Sequence, residues 1–104
     1  MSEPTSRPVP YRVIYSERVR TGIRELLAQL AAQGSGRQAL DALHQLDARL
    51  RVYPQFGEPL RDLKTPGETL WAGTVPPFVV NYAIDEERRL VFVVRPFKLL
   101  PTPT

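Results

Sequence analysis

Phe78–Val94, FVVNYAIDEERRLVFVV, is the stretch that decides how this chain folds. Side chains alternate across a strand, so Phe78, Val80, Tyr82 and Ile84 share one face while Val79, Asn81 and Ala83 take the other. The first set is expected to face a helical layer. Asp85–Arg88 reads as a polar turn. Leu90–Val94 is a continuous apolar run, as in a central strand covered on both faces or nearly so. Two antiparallel strands joined by a short turn follow.

Upstream of this hairpin, Thr69–Val75 reads as a further strand, with Pro76 and Pro77 interrupting the sheet after it. Pro54, Gly57 and Pro59 end a helical region, and GEPLRDLKTPGE reads as a linker. Within the helical region two periodic segments flank Gly34, Ser35 and Gly36. In Glu17–Gln33 the apolar residues fall at Val19, Ile23, Leu26, Leu27 and Leu30, a helical spacing, with Ser16 placed to cap the first turn. In the second helix Leu40, Leu43, Leu46 and Leu50 mark the expected buried stripe, with Ser35 as its cap. A glycine can take the left-handed conformation that closes the first helix, and so short a connection makes the two helices antiparallel neighbours. Tyr11–Tyr15 is β-rich and reads as a first strand. The fold class expected is α+β in the order β-α-α-β-β-β, an antiparallel sheet packed against a two-helix hairpin. The organisation expected is an irregular tail over 1–10, one domain over 11–98 and a second tail over 99–104, both tails being proline-rich.

Composition narrows the function. With 104 residues and 42% hydrophobic content the chain can build one core of modest size. It has no apolar run near the roughly 20 residues of a membrane span, and its start lacks the apolar stretch of a secretory signal, so a cytoplasmic protein is expected, with no membrane partner. Cysteine is absent and His44 is the sole histidine, which disfavours a metal centre; no cofactor is expected. Fourteen basic residues oppose 11 acidic ones, giving a net charge of +3, and 12 of the 14 are arginine. Arginine makes planar bidentate contacts with phosphate and carboxylate, so this surface suits RNA or an acidic protein partner. Trp71 and Phe56 read as packing aromatics.

Three phrases then point to a family. YRVIYSERV, LRVYPQFGEPLRDL and FVVNYAIDEERRLVFVV, together with the order of elements, resemble the RelE/ParE superfamily of type II toxin–antitoxin toxins, also described as plasmid stabilisation proteins. The resemblance covers about residues 11–98. It implies a toxin neutralised by a cognate antitoxin that wraps its sheet and helices. It also implies a target: RelE-like members cut mRNA at the ribosome as metal-independent endoribonucleases (mRNA interferases), and ParE-like members poison DNA gyrase.

Cleaving RNA without a metal requires a base for the ribose 2′-hydroxyl and cations around the phosphate. Arg61 and Lys64 occupy a linker position that is basic in RelE-like toxins, and Arg95 and Lys98 follow the last strand; these four are the target- or RNA-binding candidates. Other family positions differ. Val79 stands where an arginine commonly follows the aromatic that opens the penultimate strand, Thr74 and Val75 where another is expected, and no tyrosine follows the last strand. Each lost transition-state contact of this kind costs a factor of about 100 to 1,000, so no catalytic set is assigned. A catalytically silent module that keeps the fold and its partner surface is the alternative reading. Arg18, Arg20 and Arg24 on the first helix are the candidates for meeting an acidic antitoxin, with Glu17 and Glu25 within reach for intrahelical pairs. His44 reads as a surface or partly buried residue, with no adjacent Ser, Cys or acid to make it a base.

Overall fold

The structure is a computed structural model and describes residues 9–60 and 70–100. The elements run β1 (Arg12–Tyr15), α1 (Glu17–Ala32), α2 (Gly36–Val52), a 3-10 turn at Pro54–Phe56, β2 (Glu58–Leu60), β3 (Leu70–Val75), β4 (Phe78–Asp85), β5 (Leu90–Val93) and β6 (Lys98–Leu99). The fold is α+β, as expected from the sequence. The sheet has six strands in the order β1-β5-β4-β3-β2, with β6 also paired to β4.

Two features of the sheet correct the sequence reading. It is antiparallel except at one place: β1 runs parallel to β5, in register Arg12↔Leu90 to Tyr15↔Val93. The helical hairpin brings the chain back beside the start of β1, where the Tyr11 N–H donates to the Arg51 carbonyl at 2.7 Å, and β1 is later joined by β5. Second, residues read as linker and tail contribute strands. Glu58–Leu60 pairs with β3, and Lys98–Leu99 pairs with Phe78 and Val79 beyond the end of β5. Neither segment has an apolar alternation long enough to announce a strand.

Pro76 and Pro77 do not interrupt the sheet; they form the two-residue turn between β3 and β4, and the pair Val75↔Phe78 closes it. Both prolines sit outside the ladder, where a missing N–H costs no hydrogen bond. In the second hairpin, Asp85 Oδ1 accepts from the Arg88 N–H at 3.0 Å and Arg89 takes a left-handed φ of 57°.

The sheet register assigns side chains to faces, since residues paired across strands share a face. Trp71, Gly73 and Val75 of β3, Phe78, Val80, Tyr82 and Ile84 of β4, Val91 and Val93 of β5, and Val13 and Tyr15 of β1 face the helices. The β4 set is the one read from the sequence, and Phe78, Val80 and Tyr82 are fully buried in it. Strand β5 is central, but only its inner face is fully covered: Leu90 and Phe92 are half-buried and Val94 is 45% exposed.

Helix α1 starts where Ser16 Oγ accepts from the Val19 N–H at 3.1 Å. Gly34, at φ 82°, closes it in the left-handed region, as its sequence position predicts. Ser35 occupies the cap position of α2 through its backbone, its carbonyl accepting from Ala39 N–H at 3.0 Å, while its side chain makes no capping bond. The buried stripe of α2 is Ala39, Ala42, Leu46 and Leu50, with Leu43 half-buried and Leu40 44% exposed. Of the stripe expected from leucines, Leu46 and Leu50 are buried and Leu43 packs against the core; the small Ala39 and Ala42 extend the buried face to one side and Leu40 is turned out.

Candidate functional site

Of the four basic residues expected to meet RNA or another target, the structure describes two. Arg61 and Lys64 lie outside the described residues. Arg95 is exposed in the bend between β5 and β6, and Lys98 is exposed on β6. Lys98 pairs with Val79, which puts it on the sheet face turned away from the helices.

That outer face is built by Arg12 and Ile14 of β1, Leu90 and Phe92 of β5, Val79, Asn81, Ala83 and Asp85 of β4, Leu70, Ala72 and Thr74 of β3, and Glu58 and Leu60 of β2. Asn81, at its centre, is 9% exposed. The surroundings are aliphatic and aromatic. Arg12 and Lys98 are the two cations that the described strands place on this face, and they stand at opposite ends of it. Arg12 lies level with Asp85 and Lys98 level with Val79, six positions along β4, or roughly 20 Å at ~3.3 Å per residue. Two charges so far apart cannot bracket one scissile phosphate. Val79 and Thr74, the positions where the family resemblance led us to look for arginine, both lie on this face and face each other across β3 and β4.

The polar side chains that do converge lie on the other side of the molecule. A cleft of about 370 Å³ opens between α1, α2 and β1, lined by Tyr15, Arg20, Ile23, Arg24, Leu43, His44 and Asp47. Arg20 and Arg24, one turn apart on α1, are neighbours on one helical face. Arg18, two residues before Arg20 and so on the opposite side of the helix, does not line the cleft. The partner candidates of α1 therefore divide into two that share a site and one that does not.

Intrahelical pairs between these arginines and Glu17 or Glu25 do not form; among the described residues the ion pairs are Arg51–Asp47 and Arg88–Asp85. Asp47 is the most engaged group in the cleft. Its Oδ1 accepts from the Tyr15 hydroxyl at 2.6 Å and its Oδ2 accepts from Arg51 Nε at 2.7 Å. Burial of the ring, then the hydrogen bond to Asp47 and the charge of that carboxylate, push the Tyr15 hydroxyl far above the usual tyrosine range; Arg51 offsets this in part. The carboxylate also holds the Arg51 proton more firmly than usual. Tyr15 thus presents a neutral ring to the cleft, and Asp47 has its charge occupied. Arg20, Arg24 and His44 are exposed at the rim, above a floor of Ile23, Leu43 and the Tyr15 ring.

Of this cleft, sequence reasoning found Arg20 and Arg24 but missed Tyr15, Leu43, His44 and Asp47 as a group. The i, i+4 spacing of Asp47 and Arg51 was a legible signal. The 32-residue separation of Tyr15 and Asp47 carried none. Trp71 and Phe56 pack as expected: both lie against the core, and the Phe56 ring stacks on Tyr82 at 6.2 Å between centroids.

Within the described residues no group of three or more His, Cys, Asp or Glu side chains is placed to hold a metal ion, and no helix is long and apolar enough to cross a membrane. No protein-family model matches the chain, and no curated protein matches it.

Proposed function

We propose that this chain is the toxin component of a type II toxin–antitoxin pair of RelE/ParE type, kept silent by a cognate antitoxin, and that it engages its target through protein contacts, as ParE-like toxins engage DNA gyrase, rather than by cutting mRNA. The family part of this reading rests on the three sequence phrases and is consistent with a two-helix hairpin laid on one face of the sheet. The choice of target rests on one observation. The middle of the outer sheet face, around Asn81, is largely aliphatic and aromatic, and the two cations that the described strands place on this face stand at opposite ends.

Metal-free RNA cleavage depends on cations preorganised around one phosphate, and separating them removes the transition-state stabilisation that makes the reaction fast. A surface of exposed Ile14 with half-buried Val79, Ala83 and Phe92 is instead the composition of the apolar centre of a protein interface. On this reading a bacterial culture induced to express the chain arrests, primer extension finds its mRNA intact, and double-strand DNA breaks with an SOS response mark the gyrase route. Ribosome-dependent cleavage of mRNA would overturn the choice of target. Normal growth with folded protein would leave the silent partner-binding module as the better account.

A further inference from the structure

We infer that the cleft between α1, α2 and β1 is a docking site for an acidic peptide segment that inserts one apolar side chain. The inference rests on the proposed function only in giving the segment to a partner protein; the cleft's chemistry is independent of toxicity.

Four observations carry it. The floor formed by Ile23, Leu43 and the Tyr15 ring is apolar and half-buried, and the volume of about 370 Å³ suits one large side chain with its neighbours. The rim carries Arg20 and Arg24 on one helix and His44 on the facing one. The sole acid in the lining, Asp47, is neutralised by Arg51 and capped by the Tyr15 hydroxyl, so the mouth is left positive. Finally, Cβ atoms four residues apart on a helix lie about 5–6 Å from each other, a spacing that carboxylates on alternate residues of an extended segment, or one turn apart on a helical one, can match.

The same observations argue against a nucleotide. A nucleobase is recognised by groups that read its edge, and the Asp47 oxygens that could do so are both engaged. The two arginines would bind carboxylate or phosphate alike, so the preference comes from the floor of Ile23, Leu43 and the Tyr15 ring, which suits an apolar side chain and offers no free group to read a base.

The test is selection of a random linear peptide library on the immobilised full chain, followed by affinity measurement of the selected peptides. Expected are sequences in which Asp or Glu flank a single Leu, Ile, Met or Phe. Their binding should weaken roughly tenfold or more with R20E/R24E, which changes exposed side chains and preserves the core, and stay unchanged with R18E. Replacing the apolar residue of the peptide with alanine should also abolish binding. Failure to select acidic-apolar sequences, or equal binding to the R20E/R24E variant, would overturn the assignment. So would AMP shifting the amide signals of Tyr15 and His44 where the peptides do not, which would make the cleft a small-ligand site. None of these readouts depends on growth arrest, so they separate this inference from the toxin reading.

Discussion

The Tyr15 hydroxyl donates a 2.6 Å hydrogen bond to Asp47 Oδ1 and so ties the first strand to the second helix. Arg51 holds the other oxygen of the same carboxylate. Tyr15→Phe leaves Asp47 with Arg51 and should cost about 1.5 kcal/mol, the low end of the range for a hydrogen bond to a charged group because the pair is only part-buried. Asp47→Ala removes both partners and strands the tyrosine hydroxyl, so it should cost more, about 2–3 kcal/mol. Chemical denaturation of the two variants checks the order. An Asp47→Ala chain as stable as the parent would show that this tie is not made in solution.

Alkaline stability depends on two tyrosines. Burial pushes the Tyr82 hydroxyl up to about 12, against which a backbone hydrogen bond from Gly57 acts in the lowering direction, and Tyr15 is raised further still. Both therefore bind their proton more tightly in the folded chain than in the unfolded one. The stability this provides is fully present below pH 10, the ordinary tyrosine value, and falls as pH rises towards about 12, where Tyr82 ionises in the folded state. Denaturation midpoints measured from neutral to alkaline pH should fall across that window. The fall should be shallower in Tyr82→Phe, although that variant also loses the 2.6 Å bond from the hydroxyl to the Pro54 carbonyl and starts from lower stability.

On α2 two leucines of the expected stripe differ sharply. Leu46 is fully buried, so Leu46→Ala should cost about 2–5 kcal/mol through lost burial and the cavity it leaves. Leu40 is turned outward, and Leu40→Ala should change stability by less than about 0.5 kcal/mol. Similar losses at both positions would contradict the helix orientation.

Arg89 clamps the segment that precedes β1. Its guanidinium donates to the Val9 carbonyl at 2.7 and 3.2 Å and to the Tyr11 hydroxyl at 3.2 Å, and it lies 4.3 Å from the centre of the Tyr11 ring. Its backbone is left-handed, a conformation that costs a non-glycine residue of order 1 kcal/mol. Arg89→Gly should recover that strain yet lose the clamp, whereas Arg89→Ala loses the clamp and keeps the strain. Hydrogen exchange at Tyr11, whose N–H donates to the Arg51 carbonyl at 2.7 Å, should speed up in both variants, and stability should be lower in Arg89→Ala. Unchanged exchange would mean that the clamp does not hold the segment.

What the sequence makes legible here follows from local signals. Period-2 alternation located β4 and the face it buries, and helical spacing with Ser16 and Gly34 as boundaries located α1. The parallel pairing of β1 with β5 joins segments some 78 residues apart, as the pair Arg12↔Leu90 shows, and no local pattern encodes it. Strands as short as Glu58–Leu60 and Lys98–Leu99 owe their extension to the neighbours they pair with. On α2 Leu46 and Leu50 are buried as their spacing predicts, while Leu40 is exposed and Ala39 and Ala42 are buried instead, because hydrophobicity favours leucine whereas close helix packing favours alanine. In the same way Arg20 and Arg24 were visible as charges, but the cleft they share with His44 exists only after α1 and α2 have packed.

The most direct test of the central claim is growth of a bacterial culture after tightly controlled induction of this chain, alone and together with the reading frame beside its own gene. The toxin reading predicts arrest by the chain alone and recovery when the neighbour is co-expressed. Undiminished growth, with the folded chain present in the cells, would contradict it.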